Sequence, residues 1–188
     1  MSRSLLLGLA LLLSGCVAPQ LVSPYDETID RGIVAFYEDF NVFIKDLGDL
    51  AGRPEGTYEA NATKYNALET KLEVLILRAS SASQGTGCKM ESRLYDKVTR
   101  VLGSEMPAEL RGAAGRAEGD LEGCNTRLLE LVKAQLNDIR HIHAELDKCR
   151  GEAGREVSCL RKATSQTALR IANQSINAVA VVEAAKRN

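Results

Sequence analysis

The sequence predicts an all-α protein, an up-down four-helix bundle with a short helical, Gly-rich insert between its second and third helices. Three observations predict it. Four long stretches carry apolar residues at steps of three and four, the spacing that puts them on one side of a helix. Clusters of Gly, Pro and Ser separate these stretches. No stretch alternates apolar and polar residues in the way a half-buried strand requires.

The first stretch, Pro24 to Leu50, carries Ile29, Ile33, Phe36, Phe40, Phe43, Leu47 and Leu50 on one seam. Ser23 suits the N-cap and Pro24 the first helical position, with Asp26 and Glu27 at the positive end of the dipole. Gly52-Arg53-Pro54-Glu55-Gly56 ends the helix in a turn. The second helix runs from about Thr57 to Ser81 with the seam Tyr58, Ala62, Tyr65, Leu68, Leu72, Leu75 and Ala79. Asn61-Ala62-Thr63 matches a glycosylation sequon by chance.

The insert covers residues 83–120. It opens with a Ser- and Gly-rich loop and continues as a shorter helix, Cys88 to Leu102, with Leu94, Tyr95, Val98, Val101 and Leu102 on one side. Gly103 to Gly123 holds five glycines, each costing a helix about 1 kcal/mol relative to Ala. That stretch reads as partly helical, or as a small-residue face at 112, 115, 119 and 123. The third long helix is about Leu121 to Lys148, with Leu128, Val132, Leu136, Ile139, Ile142 and Leu146 on its seam. Gly151 to Arg155 is a turn. The last helix runs from about Glu156 to Ala185, on a seam of Leu160, Thr164, Thr167, Ile171, Ser175, Val179 and Val182. Small and polar residues make that seam one that packs closely or stays lightly buried.

Ahead of this domain, Arg3 precedes the apolar run Leu5 to Leu13, which ends in Leu13-Ser14-Gly15-Cys16. A helix of that length rises roughly 14 Å, under half of a bilayer core of about 30 Å, so the run reads as a signal rather than a span. Leu13-Ser14-Gly15-Cys16 resembles the lipobox of bacterial lipoproteins, and the resemblance covers only these first sixteen residues. It implies a signal peptide at 1–15, cleavage before Cys16, acyl chains on Cys16 that insert in a lipid bilayer, and a tether at 16–23 ahead of one domain at 24–188. Two or more acyl chains hold a protein stably where one is marginal. Val17 stands where an Asp commonly retains such proteins in the inner membrane, so the resemblance implies the outer membrane and a domain facing the periplasm. The residues from Val17 to Ser23 reach roughly 23 Å when extended, which keeps the domain close to the membrane.

Four further cysteines, Cys88, Cys124, Cys149 and Cys159, form an even set that reads as two disulfides in an oxidising compartment. Bundle topology selects among the three pairings. Cys88 and Cys124 flank the insert at one end, and Cys149 and Cys159 flank the last connection at the other, so the expected pairs are Cys88–Cys124 and Cys149–Cys159.

Charge is near balance, with 24 basic and 25 acidic residues, and nothing favours a nucleic-acid partner. With three Phe, five Tyr and no Trp, stacking platforms for bases or sugars are scarce. Pro24 to Leu50 carries seven acids and two bases, whereas Arg155 to Asn188 carries six bases and two acids, which suits adjacent first and last helices.

Candidate chemistry is thin. His141 and His143 lie two apart on a helix, about 160° apart around its axis, so both cannot easily bind one metal. The pairs His141/Glu145 and His143/Asp147 have helical i, i+4 spacing but lack the His-Glu-x-x-His pattern, and both histidines read as partly exposed helix residues. Glu38-Asp39 reads as a solvated helix face. No Gly-x-Ser-x-Gly elbow or phosphate loop occurs. The reading is a non-enzymatic accessory or interaction subunit of an envelope assembly, with a protein partner and no cofactor or metal. The alternative is a bundle that binds a small ligand or a metal.

Overall fold

The computed structural model describes residues 24–83, 87–88, 90–106, 111 and 123–187. The lipobox, Cys16, the tether and most of the Gly-rich stretch lie outside the described residues. Of the described residues 81% are helical, in five α-helices and a small strand pair. Helix α1 spans Glu27–Asp49, α2 Tyr58–Ser83, α3 Ser92–Leu102, α4 Cys124–His141 and α5 Lys162–Ala185. Strand β1 (Lys148–Arg150) pairs antiparallel with β2 (Glu156–Ser158) in the register Cys149 opposite Val157.

The core follows the apolar seams. Ile29, Ile33, Phe36, Phe40, Phe43 and Leu47 of α1 meet Tyr65, Leu68, Leu72 and Leu75 of α2, and Leu128, Val132 and Leu136 of α4 with Val179 and Val182 of α5 complete it. Helix α1 packs on α2 and α5, α4 packs on α2 and α5, and α3 packs on α5. Paired residues run in opposite chain order. Asp26 pairs with Arg78 and Asp39 with Lys71 between α1 and α2. Asp30 pairs with Arg187, Asn41 with Asn173 and Asp49 with Lys162 between α1 and α5. At the last of these crossings Gly48 lies against Ser165, and a Cβ there would collide with that side chain. Among the described residues no helix is long and apolar enough to cross a membrane.

Four expectations from the sequence are corrected. Helix α1 is capped by Asp26, not Ser23: its carboxylate accepts from the amides of Thr28 at 2.9 Å and Ile29 at 3.4 Å. Asp26 wins because the same side chain also pairs with Arg78 at 2.6 Å, a link no Ser can make. The third long helix does not continue regularly to Lys148. Its α geometry ends at His141 and passes into a π-turn, Ile142–Leu146. A π-turn takes an extra residue per turn and rotates everything after it, so His143 enters the core and Leu146 is left 63% exposed.

The segment from Lys148 to Ser158 is a β-hairpin rather than helix, turn and helix. Its strands have three residues each, too few to show an alternation. The expected last seam holds at Leu160, just ahead of α5, and in the second half of α5, at Ser175, Val179 and Val182. In the first half the buried residues are Ser165, Ala168, Leu169 and Ala172, leaving Thr164, Thr167 and Ile171 at the surface or half-buried.

Candidate functional site

The hairpin end gathers most of the groups with chemical potential. Cys149 and Cys159 are joined across the neck of the hairpin, with Cα atoms 5.8 Å apart. Asp147 braces the same neck: its carbonyl accepts from the Cys159 amide at 3.3 Å, and its carboxylate accepts from the Arg161 amide at 3.1 Å. Cys88 and Cys124 are joined at the start of α4, beside Ser83 at the end of α2, whose Cβ packs against Gly123. The two links are the pairs expected from the order of the helices.

The π-turn carries His143 into the space between α2 and the turn that precedes it, where it is fully buried. One ring nitrogen, Nε2, lies 3.0 Å from the carbonyl oxygen of Gly56. A carbonyl can only accept, so Nε2 carries the proton and Nδ1 is an acceptor. Nδ1 is 3.0 Å from the Tyr65 hydroxyl, which therefore donates to it. The result is a neutral imidazole with both nitrogens used. Burial lowers the basicity of His143, opposed by the Gly56 carbonyl and the carboxylates of Glu59 and Asp147, while Lys148 adds to the lowering. Burial likewise pushes the Tyr65 phenol well above its ordinary range, which keeps it a donor.

A second layer surrounds this pair. Tyr58 meets the imidazole edge-on at 5.9 Å, and its hydroxyl accepts from Arg140 Nε at 3.0 Å. Arg140 also pairs with Glu69 at 3.3 Å. The Ser158 hydroxyl, on β2, accepts from the Tyr58 amide and donates to Glu59, both at 2.9 Å. Glu59 is held below the usual carboxylate range by its own amide and by that hydroxyl. Each of these contacts ties the hairpin or α4 to α2.

The remaining sequence candidates do not join the cluster. His141 is exposed, away from its buried neighbour, and so are Glu38 and Asp39 on α1. The expectation of two partly exposed histidines holds for His141 and is overturned for His143, because the π-turn rotates it inward. Among the described residues no group of three His, Cys, Asp or Glu is placed to hold a metal ion. Asn61, in the sequon, is buried, and its amide donates to the carbonyls of Glu55 at 2.7 Å and Thr57 at 2.8 Å.

Residues that the sequence left unmarked form a network at the opposite end. Glu183 is fully buried and accepts from Lys186 at 2.7 Å, from the Asp26 amide at 3.1 Å, and from Asn125. The Lys186 side chain is itself 4% exposed. A lone acid in the apolar run Val179-Ala180-Val181-Val182-Glu183 was the available signal. No family model, curated protein or solved structure matches the chain, so the chemistry of both ends is read from their own geometry.

Proposed function

We propose that this chain is a lipid-anchored accessory subunit of an envelope assembly, one that acts by binding a protein partner rather than by catalysis. In this reading Cys16 is the acylated first residue of the mature chain, the anchor sits in the outer membrane, and the domain faces the periplasm. The four long helices α1, α2, α4 and α5 act as an up-down bundle with α3 as its insert, a reading supported by the opposite chain order of the paired residues. The end with Asp26 and the Cys88–Cys124 link then lies toward the membrane, and the hairpin with Cys149–Cys159 points away from it.

The observation that carries the non-catalytic reading is the state of His143. Among the described residues the buried histidine is a candidate general base, and both of its nitrogens are consumed in holding the α1–α2 turn and α2 to the π-turn. The Ser158 hydroxyl, in the surrounding layer, is likewise committed as donor and acceptor. What remains available is surface, including a groove of about 350 Å³ between α1 and α5 in which Val34 and Tyr37 stand exposed.

The test begins with the intact mass of the full chain extracted from membranes. The expected mass is that of a chain starting at Cys16 and carrying acyl groups; an unacylated chain starting elsewhere overturns the anchor. Photo-crosslinking from position 34 or 37 in cells then gives one discrete adduct that depends on Cys16. Absence of an adduct, together with a small molecule co-purifying in native mass spectrometry, moves the reading to a ligand-binding bundle. That second reading draws on a separate groove between α4 and α5.

A further inference from the structure

Helix α2 packs on α1 along one side and on α4 along another, and a third side faces outward. That third side is not the charged surface a solvated helix presents. The outward side of α1 carries Glu27, Arg31, Glu38 and Lys45, all exposed. On α2 the outward positions hold Ala60, Thr63, Ala67, Thr70, Val74 and Leu77, also all exposed. Val74 is 58% exposed and Leu77, one turn on, is 68% exposed. Their steps alternate three and four, so α2 has a second seam, and among the described residues no long helix lies against it. An exposed apolar strip with a charged rim marks a surface that meets another protein.

Heptad positions and rim charges together name the occupant. Ala60, Ala67 and Val74 fall at position a, and Thr63, Thr70 and Leu77 at position d. A β-branched residue at a with Leu at d favours two strands, and the e and g charges set orientation. Here Lys64, Lys71 and Arg78 recur at e, while Glu59, Asn66 and Glu73 recur at g. Antiparallel pairing of two copies sets e against e, one basic row on another. Parallel pairing sets each g against the e of the next heptad in the other copy. Glu59 then meets Lys64, Asn66 meets Lys71 and Glu73 meets Arg78, with no like charges opposed. Arg78 and Glu73 pair with Asp26 and Lys133 inside the protomer, yet keep 56% and 53% of their side-chain surface open toward a second chain.

We propose that the outward face of α2 binds a second copy of this chain: two α2 helices pair in parallel through the second seam, about a two-fold axis that runs along them. A two-fold pair is the commonest closed assembly, because one self-complementary patch serves both subunits. From Ala60 to Leu77 the seam rises roughly 26 Å. A strict heptad drifts slowly around a straight helix, so the pair coils left-handed. The parallel sense also puts both chain starts at one end of the dimer, where two copies can be anchored in the same membrane. That agreement rests on the lipid-anchor reading above, whereas the seam and its charges do not.

The experiment is cysteine crosslinking with copper phenanthroline in cells producing the full chain. Thr63→Cys and Leu77→Cys, tested singly, lie roughly 21 Å apart along the helix. Each is expected to link to the same position of a second copy, giving a species of twice the chain mass on non-reducing gels whose linked peptides are read by mass spectrometry. Each yield is at least fivefold above that of Gln166→Cys, an exposed control on α5. Val74→Glu added to Thr63→Cys lowers the yield at least fivefold, while the thermal midpoint stays within a few degrees of the parent because position 74 is exposed. Yields at the control level, or adducts only with a different protein, overturn the homodimer. Linking at one of the two positions alone overturns the parallel arrangement, since an antiparallel pair brings only its midpoint together. An undiminished Val74→Glu variant overturns the seam. None of these failures alters the acylated mass or the adduct from position 34 or 37, on which the accessory-subunit reading stands.

Discussion

The two ends of the molecule differ in what lies buried at their centres, a charged group at one and a neutral histidine at the other. The end with the Cys88–Cys124 link is held by charge: Asp26 with Arg78, and fully buried Glu183 with Lys186 and Asn125. The hairpin end has ion pairs of its own, Asp147 with Arg161 and Arg140 with Glu69, but at its centre is a neutral chain that the other end lacks, the Tyr65 hydroxyl to His143 to the Gly56 carbonyl. Charged groups that are buried and paired are costly to break singly, because the surviving partner is left uncompensated. Neutral links cost less to break and respond to protonation at a different pH. The comparison teaches that one end is built to resist mild acid and the other to feel it.

The largest effect belongs to Glu183. Glu183→Ala leaves the Lys186 ammonium in a site where it is almost fully enclosed, and stability falls by about 3–5 kcal/mol in chemical denaturation. A loss under 1 kcal/mol would show that Lys186 escapes to solvent and that the charged end is not a fastening. Close behind come the disulfides. The Cys88–Cys124 link closes a separation of 36 residues and Cys149–Cys159 one of 10, so chain entropy predicts losses of about 4 and about 3 kcal/mol on paired Cys→Ala replacement. The reverse ranking would mean that the hairpin link acts through the His143 cluster rather than through loop closure.

At the neutral end, Tyr65→Phe removes the donor to His143 Nδ1 and leaves a buried acceptor unpaired, a loss of about 1–3 kcal/mol. Acid sharpens the contrast further. His143 binds its proton less readily folded than unfolded, so its contribution is intact above the ordinary histidine value of 6.5 and stability falls as pH drops below it. For Asp26, burial alone would raise the carboxyl, but the Arg78 hydrogen bond and the Thr28 amide outweigh it and hold the group below its ordinary 3.8. That contribution is lost only as pH falls below about 4. Protection of amides against hydrogen exchange, taken relative to the intrinsic rate at each pH, should therefore fall between pH 6.5 and 4.5 around Gly56, Tyr65 and the hairpin before it does around Asp26 and Arg78. A uniform loss of protection at both ends would remove the distinction. The smallest effect is Lys162→Ala, which breaks an exposed pair with Asp49 and shifts stability by under about 1 kcal/mol.

The long seams were legible because they are periodic: each buried residue of α1 and α2 repeats a neighbour three or four positions away, and a helix converts that repeat into a face without outside help. The hairpin was not legible. Three residues per strand leave no period, and its pairing depends on the Cys149–Cys159 neck and on Asp147 reaching the Arg161 amide. The place of His143 was hidden for a related reason. Helical counting through Ile139, Ile142 and Leu146 assumes a constant turn, and one π-turn changes which residue faces inward. The α4/α5 groove was half visible. The polar seam Thr164, Thr167 and Ile171 already signalled light burial, but the sequence held no sign that Glu105 would meet it.

What the sequence by itself determined is the helical class, the four long amphipathic stretches and, through their order, which cysteines lie near each other. These follow from local periodicity and chain connectivity, which are properties of the chain read along its length. Only the tertiary structure decided the chemistry of the two ends and the inward turn of His143. Those depend on which polar group loses water and which partner replaces it, and such exchanges are made between residues dozens of positions apart, where no local pattern reaches.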